Sequence, residues 1–244
     1  MKRTLYIMAI GVTLITTASC RKTDNYDGPT ETVQGRIIDA GTGQNVQSEV
    51  SGDNGSGTRV RLLETSWSSN PTPLYLATKQ DGTYSNTKVF KATYKMIAEG
   101  AFVPMDLAAN DQSKSIEVQG GTTTVDFTVE PFLRVEWVGE PVYNSNGTVS
   151  VQVKVTRGTA NAAYQQSVTN LALFVCPYEY VGNNNYDPRY STILTRDNTI
   201  LGQTITLTST GTLPKKDWYL RIGSRIAFGT NRYNYSTIKM VAVK

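Results

Sequence analysis

Residues 148–156, TVSVQVKVT, carry the most regular pattern in the chain. Four valines occupy alternate positions, namely Val149, Val151, Val153 and Val155, and polar residues stand between them. Because successive side chains of a β-strand point to opposite faces, this alternation predicts a strand with one buried and one solvated face. The rest of the 244-residue chain is rich in Thr, Ser, Asn, Gly and Val and has no long block of helix-favouring residues. We therefore predict an all-β protein.

Further strands are predicted on both sides of this one. In the second half of the chain they cover residues 133–138, 168–176, 200–209, 218–226 and 235–243. Short strands separated by turn residues, such as Asn146 and Gly147, are typical of an immunoglobulin-like or fibronectin-III-like sandwich. We predict such a β-sandwich over residues 131–244, behind a short connector that contains Pro131 and restricts the orientation of the two domains.

The first half of the chain predicts a second β-sandwich. Its strands cover residues 32–39, 60–63, 74–78, 93–98, 116–118 and 122–129. The order of strand, D-x-G-T-G, strand, DGTY and strand resembles the carboxypeptidase-regulatory-like domain, a small transthyretin-like sandwich. The matching residues are Gly35, Asp39, Thr42, Gly43, Val60, Asp81, Gly82, Tyr84, Tyr94 and Phe127. The resemblance covers residues 31–130 and implies a spacer or docking module rather than a catalyst.

The composition limits the chemistry of the protein. The chain contains no histidine, which excludes Ser-His-Asp and Cys-His nucleophilic sites and His-containing zinc sites. Carboxylate pairs could still act in a glycosidase, but no motif marks a nucleophile. We therefore expect no enzymatic activity, no catalytic residue and no metal or cofactor. The net charge of +4 is small and the basic residues are scattered, so we expect no nucleic-acid partner.

The N-terminal residues 1–20, MKRTLYIMAIGVTLITTASC, have the pattern of an export signal. Two basic residues precede an apolar run of about ten residues, which is too short to span a bilayer about 30 Å thick. The small residues before Cys20 resemble the lipobox of bacterial lipoproteins, although Thr17 stands where leucine is usual. The resemblance implies a lipoprotein signal peptide with a lipid-modified Cys20 as the mature N-terminus. The alternative is an ordinary cleaved signal peptide.

The residues after the leader predict a tether, and the second cysteine predicts a core position. Residues 21–30 are polar and include Gly28 and Pro29, as in a flexible linker. Cys176 lies in the apolar run LALFVCP. If Cys20 carries lipid, Cys176 has no disulfide partner, and we expect it to be a small buried hydrophobic residue.

Loops that carry aromatic side chains are the candidates for function. Residues 177–190, PYEYVGNNNYDPRY, place four tyrosines among asparagines: Tyr178, Tyr180, Tyr186 and Tyr190. Residues 65–73, TSWSSNPTP, place Trp67 in a polar stretch, and the glycine-rich residues 49–57 predict a mobile loop. Aromatic rings in such loops stack on sugar faces or peptide groups, and amides bind hydroxyls. In the alternative interpretation, the tyrosines cap the sandwich and pack on the neighbouring domain, and Trp67 anchors a core.

Four local sequences, at residues 32–39, 64–73, 81–84 and 99–104, together resemble a Bacteroidota family of two-domain lipoproteins of uncharacterised function. Members of that family are typically encoded beside SusC/SusD-like outer-membrane uptake pairs. The resemblance implies a lipid-anchored protein of the outer membrane, at the cell surface, that helps a SusC/SusD-like pair to capture an oligosaccharide or peptide. The alternative is a docking subunit of the transporter that contacts no ligand.

Overall fold

A computed structural model describes residues 27–50 and 55–244, and these residues form an all-β protein, as predicted. The predicted leader, the lipidation site Cys20 and most of the predicted linker lie outside the described residues. No helix in the described part of the chain is long and apolar enough to cross a membrane.

The described part of the chain up to Val129 forms ten strands. They are β1 (Glu31–Asp39), β2 (Arg59–Glu64), β3 (Leu74–Ala77), β4 (Thr83–Val89), β5 (Ala92–Glu99), β6 (Asp106–Leu107), β7 (Asn110–Asp111), β8 (Lys114–Val118), β9 (Thr122–Thr124) and β10 (Phe127–Val129). One sheet has the order β10-β1-β4, with β9 also paired to β1, and the other has the order β3-β2-β5-β8. Strands β6 and β7 form a separate small hairpin. We call residues 31–130 the N-terminal sandwich.

A single hydrophobic core joins the two large sheets of the N-terminal sandwich. Val33 and Phe127 come from one sheet, and Leu62 and Met96 come from the other. Residues 122–129 show the predicted alternation of buried and exposed side chains, but the strand is interrupted between Thr124 and Phe127. The carboxylate of Asp126 accepts a hydrogen bond from the backbone N–H of Arg36 and thereby replaces a bond of the β-ladder.

The rest of the chain forms nine strands and two short 3₁₀ helices. The strands are β11 (Leu133–Trp137), β12 (Val142–Tyr143), β13 (Val149–Arg157), β14 (Val168–Cys176), β15 (Thr192–Thr195), β16 (Thr204–Thr208), β17 (Asp217–Ile226), β18 (Asn234–Tyr235) and β19 (Lys239–Ala242), and the helices are Ala162–Tyr164 and Asn198–Ile200. One sheet has the order β11-β13-β12, with β16 beside β13. The other has the order β15-β14-β17-β18, with β19 beside β17. We call residues 131–244 the C-terminal sandwich.

The four alternating valines of β13 are buried, as predicted, and they pack against β14 and β17. Strand β14 is buried on both faces, because Ala172, Phe174 and Cys176 pack into a second, smaller core with Val181, Tyr233 and Tyr235. The prediction that Cys176 is a buried hydrophobic residue is therefore confirmed. The immunoglobulin-like and transthyretin-like classes of the two sandwiches, and their exact boundaries, remain predictions.

Two predicted strands are shorter in the structure. The strand predicted at residues 200–209 begins at Thr204, because Asp197 caps the preceding 3₁₀ helix by accepting a hydrogen bond from the N–H of Thr199. The strand predicted at residues 235–243 is divided into β18 and β19. The carbonyls of Ser236 and Thr237, between them, accept hydrogen bonds from the side chains of Arg221 and Trp137.

The N-terminal sandwich has two distinct ends. At one end Glu31 pairs with Val89 and Glu64 pairs with Tyr94. At the other end β1 finishes at Asp39 and Arg59 pairs with Glu99. We call the first the distal end and the second the junction end, because the residues of the junction end contact the C-terminal sandwich.

Candidate functional site

The four tyrosines of residues 177–190 divide into two pairs. Tyr178 and Tyr180 are exposed, with 67% and 59% of their surface accessible. Tyr186 is half-buried against the ring of Phe174, 5.4 Å between centroids, and the half-buried Tyr190 packs edge-on against Trp218 at 4.9 Å. The first pair is therefore available to a ligand, whereas the second pair uses its rings to cover the C-terminal sandwich.

The loop at residues 177–190 also contacts the N-terminal sandwich. The side chain of Gln80 donates a 2.8 Å hydrogen bond to the carbonyl of Val181, and Asn184 donates one of 2.7 Å to the hydroxyl of Ser56. At the other end of the loop, the amide of Asp187 donates to the carbonyl of Val175. These contacts hold the loop between the two sandwiches. They agree with the alternative interpretation for Tyr186 and Tyr190, but leave Tyr178 and Tyr180 facing solvent.

Trp67 is 69% exposed but lies far from the tyrosines. Trp67 lies three residues after Glu64, which ends β2 at the distal end. Strand β2 begins with Arg59 at the opposite end, the junction end. The six residues of β2 span roughly 17 Å at a rise of about 3.3 Å per residue. The structure therefore does not bring Trp67, Tyr178, Tyr180, Tyr186 and Tyr190 onto one surface, and an interpretation of the five as a single binding platform does not hold.

A cleft of about 610 Å³ lies where the two sandwiches meet. The N-terminal sandwich contributes polar side chains from two turns, and the C-terminal sandwich contributes strand β11, strand β18 and the two residues after β18. Its lining includes Gln44, Gln47, Asp81, Glu136, Trp137 and Thr237. The volume falls within the usual range of small-molecule sites, and the lining offers amides, carboxylates and the aromatic side chains of Trp137 and Tyr235. The cleft therefore suits a polar ligand.

An ion pair forms part of the cleft wall. Arg134 of β11 donates hydrogen bonds from Nε to Oδ2 of Asp39, at 2.6 Å, and from Nη2 to Oδ1, at 2.7 Å. Burial raises the pKa of Asp39, but the hydrogen bonds from Arg134 and from the Gly41 amide outweigh it, so the pKa lies below 3.8. The hydrogen bond to Asp39 also raises the pKa of Arg134. Both groups are therefore charged at neutral pH, and they join the first strands of the two sandwiches.

Glu49 is buried in the junction although it begins the stretch predicted to be mobile. Its carboxylate accepts hydrogen bonds from the hydroxyl of Tyr235 and from the amides of Val50 and Asn183. Burial and the nearby carboxylate raise the pKa of Tyr235 well above 10, so the hydroxyl stays protonated and donates. The prediction of a mobile loop is thus wrong for Glu49, while residues 51–54 lie outside the described residues.

Arg221 of β17 is fully buried and connects three segments of the chain. Its guanidinium donates hydrogen bonds of 3.1–3.2 Å to the carbonyls of Ser236, Val181 and Gln80. The guanidinium also lies 4.3 Å from the ring centre of Tyr235, in cation–π geometry. Burial lowers the pKa of Arg221 to about 10, so the side chain is still charged at neutral pH.

The hydrogen bonds of Arg221 place the tyrosine loop beside the cleft. Ser236 lines the cleft, and so does Asp81, the neighbour of Gln80. Val181, which shares Arg221 with both of these segments, directly follows the exposed Tyr180. The two exposed tyrosines and the cleft are therefore parts of one region at the junction.

Trp137 is the more exposed of the two aromatic residues that line the cleft. Its indole Nε1 donates a 2.9 Å hydrogen bond to the carbonyl of Thr237, which determines the ring orientation. The ammonium group of Lys239 lies 5.3 Å from the ring centre and donates to the carboxylate of Glu140. The ring is half-buried and is thus partly accessible from the cleft.

Sequence reasoning did not identify Glu49, Trp137 or Arg221. One signal for Arg221 was available, because a single arginine interrupts the apolar strand sequence WYLRIG. A charged residue in such a position is either at an edge or paired in the interior. Nothing in the local sequence distinguishes Glu49 from other loop carboxylates, because the partners that hold it in the junction, Asn183 and Tyr235, are more than 130 positions away.

The described residues show no prepared metal centre. In residues 27–50 and 55–244, no three Cys, Asp or Glu side chains are grouped so that they could hold a metal ion.

Comparison with known proteins relates the whole described chain to one family. The family model described as "Protein of unknown function (DUF3823) N-terminal domain" matches residues 31–130. A DUF3823 family protein from Bacteroides uniformis, known from its crystal structure, is 32% identical to this chain in sequence, and the two structures match with a TM-score of 0.79. The match covers 88% of this chain and 100% of that chain. Among curated proteins, none matches this chain.

Two further crystal structures show the same fold at lower identity. One is a protein from Bacteroides uniformis for which carbohydrate binding has been proposed; it is 24% identical, with a TM-score of 0.69. The other is a DUF3823 family protein from Parabacteroides merdae, 17% identical, with a TM-score of 0.67. Each match covers 88% of this chain and 100% of the other. With the 32% identity over the whole length of the first relative, these findings show that the chain belongs to the DUF3823 family, a family of unknown function.

Proposed function

We propose that this protein is a non-catalytic surface lipoprotein that binds an oligosaccharide at the junction of its two sandwiches. In this proposal it is anchored in the outer membrane through Cys20 and acts as an accessory to a SusC/SusD-like uptake pair. The observation that carries the binding proposal is the exposure of Tyr178 and Tyr180 in a loop that both sandwiches hold in place.

Exposed tyrosines on an anchored loop suit sugar recognition for a physical reason. A tyrosine ring offers a flat apolar face to the C–H groups of a sugar and has only two side-chain torsions to immobilise. Because the carbonyl of Val181 accepts hydrogen bonds from Gln80 and Arg221, the loop loses little further entropy when a ligand binds. The neighbouring cleft adds amides and carboxylates, which bind hydroxyl groups.

Two carboxyl groups of the cleft are unsuited to act as the proton donor of a glycosidase. A glycosidase needs one carboxyl group that is protonated at working pH and one that is not. Burial raises the pKa of Asp39 and of Asp81, but hydrogen bonds from Arg134 and Thr83, respectively, outweigh it, and each pKa lies below 3.8. Both carboxyl groups are therefore ionised at neutral pH, and neither is a proton donor.

The comparison with the carbohydrate-related structure supports this proposal only through the fold. At 24% identity the likeness shows a shared fold alone, and it transfers neither a ligand nor a residue.

The proposal is tested by the retention of residues 21–244 on a panel of soluble and insoluble polysaccharides. The Tyr178→Ala/Tyr180→Ala double variant is expected to bind the glycan that retains the wild type at least about tenfold more weakly, because two stacking contacts are lost. The matched control carries Tyr143→Ala in β12 and Phe90→Ala at the distal end, two aromatic residues that are also exposed but are not part of the tyrosine loop or of the cleft lining. The control is expected to bind like the wild type.

Two results would contradict the proposal. Equal losses in both double variants would show that binding is not located at the junction. If the protein is retained on no glycan of the panel, an oligosaccharide ligand is excluded, and a panel of peptides is the next test. Failure of both panels, together with co-purification with a SusC/SusD-like pair, would support a docking subunit that contacts no ligand.

A further inference from the structure

The distal end of the N-terminal sandwich carries three large exposed apolar side chains. Trp67 is 69% exposed, Phe90 is 52% exposed and Leu74 is 43% exposed. Their segments are close in the fold, because Thr65 and Ser66, just before Trp67, form hydrogen bonds with the backbone of Thr93. These residues are exposed at the end opposite to the C-terminal sandwich, so neither sandwich covers them. We call Trp67, Leu74 and Phe90 the distal apolar set.

The N-terminal segment enters the fold at this same end. Strand β1 begins at Glu31, which pairs with Val89, the residue directly before Phe90. Lys91, on the other side of Phe90, lies 4.0 Å from the carboxylate of Glu31. Strand β1 therefore begins beside the distal apolar set, at the end of the N-terminal sandwich that is opposite to the C-terminal sandwich.

The chain between Cys20 and this end is short. Eleven residue steps separate Cys20 from Glu31. Eleven residue steps can cover at most about 36–40 Å even when fully extended. A lipid on Cys20 would therefore hold the distal end within this distance of the bilayer surface, which places Trp67 and Phe90 within reach of the interface.

We propose that the distal apolar set is a membrane-contacting surface, in which Trp67 and Phe90 insert into the headgroup region of the bilayer that holds the N-terminal lipid. This rests on the proposed lipidation of Cys20. Tryptophan and other aromatic rings are favoured at membrane–water interfaces, where an apolar ring and a polar group find suitable surroundings. Contact of these rings with the bilayer would fix the orientation of a protein that the N-terminal lipid already holds at the membrane.

Charge at the distal end has a secondary role. Lys88 and Lys91 are exposed on either side of Val89 and Phe90, and Glu117 is an exposed carboxylate at the same end. The charges are mixed, so we expect the contact to depend on the aromatic rings rather than on anionic lipid. In this orientation the junction with Tyr178 and Tyr180 is held away from the membrane by the length of the N-terminal sandwich.

The test uses the chain from Cys20 to Lys244, coupled through the thiol of Cys20 to a maleimide headgroup lipid in phosphatidylcholine vesicles. Cys176 is buried and does not compete for coupling. Vesicles with brominated acyl chains quench tryptophan only on contact. We expect the tethered protein to lose part of its tryptophan emission in these vesicles. Trp67→Phe should abolish this loss, and Phe90→Ser should reduce it.

The other tryptophans serve as internal controls, because Trp218 is buried in the C-terminal core and Trp137 lies in the cleft. Matched vesicles with 20% anionic lipid are expected to give the same quenching as neutral ones. The proposal is overturned if the tethered wild type is not quenched, or if Trp67→Phe is quenched equally. An unquenched wild type is also the result expected if the distal end binds a protein partner instead of the bilayer.

The chemical tether separates this inference from the proposed function. It places the chain on a bilayer whether or not cells acylate Cys20, and lipidation itself is measured independently from the mass of the N-terminal peptide of membrane-extracted protein. An unlipidated cellular protein would contradict the anchor, while unquenched tethered protein would contradict the membrane contact. Neither result affects glycan retention at the junction.

Discussion

Arg134 and Asp39 join the two sandwiches through a pair of parallel hydrogen bonds, 2.6 and 2.7 Å long. Asp39 ends the first strand of the N-terminal sandwich, and Arg134 lies in the first strand of the C-terminal sandwich. The short connector between the sandwiches runs from Val129 of β10, which pairs with Asp39, to Leu133 of β11. The ion pair is therefore a second link beside this connector and opposes rotation of one sandwich against the other.

Asp39→Asn is expected to lower the free energy of unfolding by about 1–3 kcal/mol at neutral pH, because Arg134 keeps its charge and loses a charged acceptor. The pKa of Asp39 is lower in the folded protein than its usual 3.8. The stabilisation by Asp39 is therefore present above pH 3.8 and is lost as the pH falls through the lowered folded-state pKa. Urea unfolding at pH 7 and pH 3 measures the difference between wild type and variant at each pH.

The control for this prediction is Asp126→Asn, which affects an exposed ion pair with Arg36 within the N-terminal sandwich. Exposed pairs contribute less than about 1 kcal/mol, so this variant should change stability only slightly. A difference between Asp39→Asn and wild type that stays constant from pH 7 to pH 3 would contradict the role of the ionised carboxylate.

Arg221→Met is expected to destabilise the protein by about 2–4 kcal/mol, because buried carbonyls of three segments lose their shared donor. The loss is smaller than the sum of three hydrogen bonds, since burial of the charged guanidinium already costs free energy and lowers its pKa to about 10. Urea unfolding monitored by tryptophan fluorescence gives the change. The exposed Arg196→Met serves as control, and equal stability of the two variants would contradict the prediction.

Gly182→Ala should displace the tyrosine loop. A Cβ atom at position 182 would lie 2.2 Å from Oε1 of Glu49, which is itself held by hydrogen bonds. We expect a loss of about 1–3 kcal/mol, in the range of overpacked sites. Amide exchange of residues 177–190 should accelerate.

Gly28→Ala is the matched control for this change, because nothing lies within 4 Å of the position that its Cβ would take. If the two alanine variants show the same exchange in residues 177–190, the contact between Gly182 and Glu49 does not hold the loop.

Cys176 is expected to be unreactive in the folded protein. Its side chain is buried, and burial raises the pKa of the thiol above 9.0, so little thiolate forms at pH 8. Reaction of residues 21–244 with a thiol-specific disulfide reagent should therefore be slow until denaturant is added. Rapid reaction in the absence of denaturant would show that the second core around Cys176 opens easily.

Local patterns in the sequence determined most of the strands and the class of the fold. The alternation of Val149, Val151, Val153 and Val155 predicted a one-sided strand, and the structure buries all four in one core. This works because the two-residue period of a strand is a local property that burial selects directly. The interruption at Asp126 was not predictable, because its carboxylate binds Arg36, which is 90 residues away.

The candidate site depended far more on tertiary structure. The sequence identified a loop rich in tyrosine, but could not separate Tyr178 and Tyr180 from Tyr186 and Tyr190, whose rings pack on Phe174 and Trp218. All four residues have the same chemistry and similar neighbours in the sequence. Only the position of the C-terminal core beneath the loop decides which rings are buried.

The sequence by itself determined the all-β class, the burial of Cys176 and a resemblance to a family of unknown function, because these depend on residue type and local period. The tertiary structure alone decided that the two sandwiches meet through Asp39, Glu49, Arg134 and Arg221, and that a cleft forms between them. It also placed Trp67 at the opposite end of the N-terminal sandwich. These relationships join residues up to 186 positions apart, and such contacts arise from the packing of whole sheets rather than from any local pattern.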